Sequence, residues 1–179
     1  MEFKDIKNFL ETTSNENEGN IRWKTSNGDN DFFDKCANKL QSLGVTSVLD
    51  IACGTGEFVK ICNNKYKIEA YGITPEREGK PRDSFFYNGT FESILKNQKL
   101  LNDVKFDCIT IHNTLHGYHW KDSELEELLN FMKEHSKYIV ISKPQHNKKV
   151  SLDGLNEIYK FSGSHGGGLT IHLIYEVIE

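Results

Sequence analysis

The run Val48-Leu-Asp-Ile-Ala-Cys-Gly-Thr-Gly56 constrains this chain more than any other stretch. Thr46 to Ala52 is short, apolar and ends in small residues, so it reads as a buried parallel strand, with Glu57 to Cys62 as the helix after it. Between them, the strand-ending Asp50 and the Gly54-x-Gly56 turn let backbone come close to a ligand that any Cβ would block. A dinucleotide fingerprint would need a third glycine where Val59 stands, which disfavours NAD. A P-loop would need Gly-Lys-Ser/Thr, and none exists.

The chain around this turn repeats the same alternation. Phe32, Phe33, Cys36, Ala37, Leu40 and Leu43 recur at helical spacing, with Asn30 or Asp31 as N-cap and Gly44 as the stop. Residues Ile68 to Ile73, Phe85 to Tyr87, Phe106 to His112 and Tyr138 to Ser142 read as further strands, and a short helix is expected near Phe91 to Leu95. Ser123-x-x-Glu126 has the pattern of a capping box opening a helix with an apolar stripe of Leu125, Leu128, Leu129 and Met132. Alternation of this kind predicts an α/β fold, a parallel sheet wrapped by helices. The tail differs: Glu157 to Ser162 and Leu169 to Ile178 are extended runs joined by a glycine-rich turn, which predicts an antiparallel hairpin. Residues 1–30, with a weak helix from Lys4 to Glu11, form a lead-in to a domain over 31–179, and Trp23 and Lys24 make it a candidate lid.

At 179 residues the chain fits one domain, and 37% hydrophobic with 27% charged residues describes a globular protein. The net charge of −4 offers no overall field for a polyanion, so tight nonspecific binding to nucleic acid is not expected, although a local basic patch stays open. Four cysteines without a CxxC pair, a start lacking a signal-peptide core and the absence of a long apolar run predict reduced thiols, no membrane insertion and a cytoplasmic location.

Val48-Leu-Asp-Ile-Ala-Cys-Gly-Thr-Gly-Glu57 resembles the first motif of the Rossmann-like (class I) S-adenosylmethionine-dependent methyltransferases along its whole length. The resemblance runs over about residues 32 to 178 and implies a seven-stranded, mostly parallel sheet with an antiparallel hairpin at its C-terminal end and helices on both faces. It implies S-adenosylmethionine as cofactor, its amino-acid part held by Asp50, Ala52, Cys53, Gly54 and Gly56. Where the family ends its second strand in an acidic ribose ligand, this chain has Thr74; either Glu76 substitutes or the ribose is held more weakly. Where the family has Gly-Asp against the adenine, this chain has Gly89-Thr90, leaving Thr90 or the Phe91 backbone for the base edge. His112 and Asn113 occupy the end of the fourth strand, whose residues line cofactor and substrate in the family.

Ligands of open parallel sheets bind beyond the carboxyl ends of the strands. That face collects His116, His119 and, through the hairpin turn, His165, the candidate bases for a hydroxyl substrate. His112-x3-His116-x2-His119 has metal-like spacing, but Gly117 breaks a helix and no metal site is expected. Lys143 with Glu176 resembles the Lys-Asp-Lys-Glu set of ribose 2′-O-methyltransferases, except that His112-Asn113 stands at the Asp and only Lys24 offers the first Lys. The expected activity is methyl transfer to a small, hydroxyl-bearing acceptor; an RNA ribose methyltransferase and a noncatalytic cofactor-binding or scaffold subunit are the alternatives.

Overall fold

The computed structural model describes residues 3–15, 30–74, 84–101, 103–112, 122–144, 151–165 and 168–178. Its frame is a seven-stranded sheet in the order β3-β2-β1-β4-β5-β7-β6. The strands are β1 (Ser47–Ile51), β2 (Glu69–Thr74), β3 (Phe86–Asn88), β4 (Phe106–Ile111), β5 (Ser136–Pro144), β6 (Leu155–His165) and β7 (Gly168–Val177). Strands β1 to β5 pair in parallel, whereas β7 is antiparallel to both β5 and β6. Strand β6 therefore runs in the common direction, and the turn between β6 and β7 lies at the carboxyl end of β5, where His165 pairs with Gly168 and Pro144 with Thr170. The predicted mostly parallel sheet with a C-terminal antiparallel hairpin is the observed one.

Helices cover both faces. On one face, α2 (Asn30–Ser42) and α3 (Glu57–Ile61) bury Phe32, Phe33, Cys36, Ala37, Leu40, Phe58 and Val59 against Val48, Cys108, Val140 and Ile174. On the other, α1 (Phe3–Asn15), α4 (Phe91–Asn97) and α5 (Asp122–His135) cover Leu49, Ile51, Ile109, Ile111, Ile139 and Leu173. Alternate side chains of a strand point to opposite faces, so a strand buried on both sides is mostly apolar; β1 is buried at all five positions, with Val48, Leu49 and Ile51 apolar and Ser47 and Asp50 polar.

Local chemistry explains the helix ends. Gly44, at φ 78°, closes α2, and the amides of Gly44 and Val45 return to the carbonyls of Gln41 and Leu40 at 3.0 and 3.1 Å. Helix α3 widens into a π-helical turn over Cys62–Tyr66, where the Asn63 side chain donates to the carbonyls of Val59 and Ala70 and ties the turn to β2. Helix α5 carries the expected stripe, with Leu125, Leu128, Leu129 and Met132 all buried. It starts at Asp122, one residue before Ser123, so Ser123 sits inside the first turn and not at the cap that the Ser-x-x-Glu pattern implied.

Of the lead-in drawn over residues 1–30, residues 3–15 form helix α1. Helix α1 places Ile6, Phe9, Leu10 and Thr13 on one side, all buried, and Phe9 stacks on Phe131 of α5 with ring centroids 6.4 Å apart. The spacing i, i+3, i+4, i+7 is that of a core helix, and the polar run after it does not weaken this face. Trp23 and Lys24, the lid candidates, lie outside the described residues. Phe9→Ala is expected to cost about 3–5 kcal/mol in urea unfolding, the range for emptying a buried aromatic site; a detachable segment would leave the unfolding midpoint unchanged.

Candidate functional site

The chain leaves β1 through three left-handed residues in alternation: Ala52 at φ 58°, Gly54 at 64° and Gly56 at 76°. Alanine is disfavoured there by its Cβ, so Ala52 holds a conformation that costs on the order of 1 kcal/mol. The Cys53 amide donates to Ile73 of β2 at 3.2 Å and the Gly56 amide to the Cys53 carbonyl at 2.9 Å. Among the described residues, the amides of Gly54 and Thr55 meet no protein acceptor. Residues 52 to 55 are partly exposed, whereas Gly56 is buried.

What makes Gly56 a glycine is a side chain. A Cβ there would lie 2.0 Å from the ring of Phe86 on β3, and a Cβ at Gly72 of β2 would meet the Cys53 sulfur at 2.6 Å. Within this turn the second glycine packs against an aromatic ring, and residues 52–55 are its exposed part.

Asp50 is 1% exposed and faces the α2 side, where its carboxylate accepts the Thr110 hydroxyl at 2.8 Å. Burial pushes its pKa up to about 7, against the lowering effect of that hydrogen bond. The surrounding thiols of Cys36, Cys62 and Cys108 are also pushed up, by burial first.

The ends of β2 and β3 differ from what the sequence suggested. Thr74 is buried and its carbonyl accepts the Gly89 amide at 3.0 Å, so its hydroxyl is not presented to an open cleft. Thr90 caps α4, its hydroxyl accepting from the Ser93 amide at 3.2 Å while the Thr90 amide donates to Ser93 Oγ at 2.9 Å. Phe91 packs at the edge of the core. The sequence reading missed Asn88 and Thr13: among the described residues, the buried Asn88 side-chain oxygen and Thr13 hydroxyl have no hydrogen-bond partner. They lie together, since the Asn88 amide donates to Ser14 at 3.2 Å and Thr13 touches the space over Gly89. An unpartnered buried acceptor at a strand's carboxyl end was the signal, and only the fold exposes it. Glu76 lies outside the described residues.

At the ends of β4, β5 and β7, three polar side chains meet on the α2 face. Ser142 Oγ is 3.1 Å from His112 Nδ1 and 2.5 Å from His172 Nδ1, and all three residues are buried. Phe32, Phe33 and Phe58 surround the His112 ring, with centroids 4.4 to 5.5 Å away. Burial holds the His112 pKa down at about 3, with His172 adding to the effect, so this imidazole is neutral. Ser142 and His172 were not anticipated. Asn113, His116 and His119 lie outside the described residues, and for Lys143 and His165 only the backbone is described. Lys143 pairs with Ile171 and Glu176 with Tyr138, five positions apart on the β5–β7 ladder and so about 17 Å apart along the strand. The Lys143–Glu176 set of a ribose methyltransferase therefore does not assemble.

The methyltransferase-domain family model matches residues 4–160, most of the chain and including α1. The chain belongs to this methyltransferase family. No curated protein matches the sequence of this methyltransferase. Among solved structures, it is similar to magnesium protoporphyrin IX methyltransferase from Synechocystis PCC 6803 with bound SAH: TM-score 0.61, 12% identity, 99% of this chain and 94% of that one covered. The methyltransferase domain of bacterial CtHen1-C gives TM-score 0.59 at 10% identity, covering 84% and 98%. A putative O-methyltransferase from Klebsiella pneumoniae gives 0.58 at 9%, covering 98% and 90%. At these identities the likeness is one of fold. No helix among the described residues is long and apolar enough to cross a membrane.

The raised pKa of Asp50 gives the methyltransferase a pH-dependent stability. The folded state holds this proton more tightly than the unfolded chain, so the contribution is complete below the ordinary carboxylate range and is lost as pH rises through about 7. Urea unfolding at pH 5 and pH 8 is expected to show Asp50→Asn gaining on the wild type at pH 8, by on the order of a few kcal/mol at roughly 1.4 kcal/mol per pKa unit. An equal difference at both pH values would contradict the assignment.

Proposed function

We propose that this methyltransferase transfers the methyl group of S-adenosylmethionine to a small, hydroxyl-bearing acceptor bound at the carboxyl end of the sheet. The observation that carries the cofactor site is the open half of the β1 turn. Residues 52–55 combine small side chains, left-handed backbone and the unengaged Gly54 and Thr55 amides, which suit a carboxylate. The residues present therefore fit the amino-acid end of the cofactor, and the unpartnered Asn88 oxygen fits a donor such as an exocyclic amine of the base.

In this reading Ala52, Cys53, Gly54 and Thr55 hold the amino-acid end, and Asp50 supports the turn from beneath. Asn88 and Thr13 border the base end, taking over the part first assigned to Thr90 and Phe91. When bound, the cofactor supplies an electrophilic methyl group on a sulfonium. The chain's contribution is to fix acceptor and donor within attack distance and to provide a base for an acceptor that carries a proton. His112 follows β4 and is neutral, but the burial that holds its pKa at about 3 also makes it a weak base. His116, His119, His165 and Lys143 remain proposals for the same face. The loss of the Lys143–Glu176 set favours a small acceptor over an RNA ribose.

Calorimetric titration with S-adenosylhomocysteine tests the site. Saturable binding is expected, weakened at least tenfold, about 1.4 kcal/mol, in Gly54→Ala. Ala52 already shows that alanine is accommodated in this backbone conformation, so the variant is expected to fold. Absence of heat and of a thermal shift at millimolar ligand would end the reading, and methyl-labelled cofactor with metabolite and RNA fractions then reports the acceptor class.

A further inference from the structure

We propose that the free edge of β6 pairs with the same edge of a second copy of this chain, forming a symmetric dimer in which the two sheets join into one. Strand β6 is 11 residues long and ends the sheet, since among the described residues it pairs with β7 alone. An edge of this length presents a row of backbone amides and carbonyls that another strand can take up. Its side chains are not withdrawn from solvent either: Leu155, Ile158 and Phe161 are only half-buried, and Tyr159 is 39% exposed.

A bulge in β6 determines which strand fits. The register against β7 slips at Ile158: Glu157 pairs with Tyr175, Tyr159 with Ile174 and Lys160 with Leu173. Tyr175 and Leu173 belong to the core under α1 and α5, Ile174 to the core under α2. Residues opposite one another in a ladder share a face. Glu157 and Lys160 therefore both stand on the α1 side, although a regular strand puts residues three apart on opposite faces. Because Tyr175 and Leu173 are two apart, Glu157 and Lys160 also occupy the same kind of ladder position. Among the described residues neither makes an ion pair.

A two-fold axis normal to the sheet, passing between Ile158 and Tyr159, sets Glu157 of each copy opposite Lys160 of the other on the α1 side, and Ile158 opposite Tyr159 on the α2 side. The flanking pairs obey the same rule: Leu155 and Ser162 share the face of Val177 and Ile171, and Asn156 and Phe161 share the face of Glu176 and His172. A lysine on an edge strand ordinarily keeps other strands away. A second copy of this chain is a partner that brings a carboxylate to that ammonium, and symmetry makes the match twice. Opposite charges across a ladder attract and like charges repel, so the edge accepts itself in this one register. The open turn at 52–55 stays clear of the junction, because β1 lies four strands from β6.

Sedimentation equilibrium of the full chain, from micromolar to near-millimolar concentration, tests the pairing. A reversible monomer–dimer equilibrium is expected, weakened about tenfold or more by Lys160→Glu and likewise by Glu157→Lys, each of which sets like charges across the axis twice. Both positions are exposed, so the variants are expected to keep the wild-type unfolding midpoint. Mixing the two single variants should restore association, since each mixed dimer again sets acid against base, and the double variant Glu157→Lys with Lys160→Glu should dimerise as the wild type does. Hydrogen exchange of amides in 155–162 should slow as the wild-type concentration rises. A wild-type chain that stays monomeric, a dimer indifferent to the single reversals, or single variants that stay apart when mixed would overturn the edge-to-edge dimer. Should a variant fail to fold, the concentration dependence of exchange in the wild type decides alone.

Discussion

The reversal of the chain at the end of β1 is the constraint on which the rest of the structure depends. A strand that is buried on both faces must turn within a few residues into a helix lying on one of them, and three left-handed residues make that turn. Close packing then fixes it: Phe86 fills the space over Gly56 and the Cys53 sulfur fills the space over Gly72. The two contacts join β3 and β2 to the turn, so the shape of the open segment 52–55 is set by neighbouring strands and not by the loop alone. A glycine pattern that looks like a single requirement for ligand space is thus two requirements, one for packing and one for access.

A second constraint is the burial of polar groups on the α2 face. Asp50, Thr110, His112, Ser142 and His172 all sit beneath α2 and α3 near the carboxyl ends of the strands. Buried polar groups without partners cost on the order of 1–3 kcal/mol each, so such a cluster persists only when its members bond to one another. They do, as Asp50 with Thr110 and as the two histidines through Ser142. The phenylalanines at the start of α2 exclude water from the histidines, which strengthens those bonds and keeps His112 neutral.

Much of this was legible in the sequence because it is local. The β1 motif, the amphipathic α2 with its Gly44 stop, the α5 stripe and the terminal hairpin each announce themselves through periodicity or turn residues. Helix α1 was legible too, since Ile6, Phe9, Leu10 and Thr13 already have core spacing, yet the polar residues that follow suggested a loose segment. What could not be read is non-local. Strand β7 comes last in sequence but is inserted between β5 and β6, which pairs both of its edges and puts His172 beneath Phe32 of α2, where it is buried. Ser142 looks like the polar end of an apolar strand until β7 pairs His172 with it. Thr74 and Thr90 were placed by position, and the structure gives them a buried strand end and a helix cap.

In the proposed site the amides of the open turn, at Gly54 and Thr55, hold the amino-acid end of the cofactor. Backbone amide shifts measured during addition of S-adenosylhomocysteine address it residue by residue. Gly54 and Thr55 are expected to move most, with Asn88 following, while Gly56, shielded by Phe86, moves little. Large shifts confined to another strand end, with Gly54 and Thr55 unmoved at saturation, would contradict it.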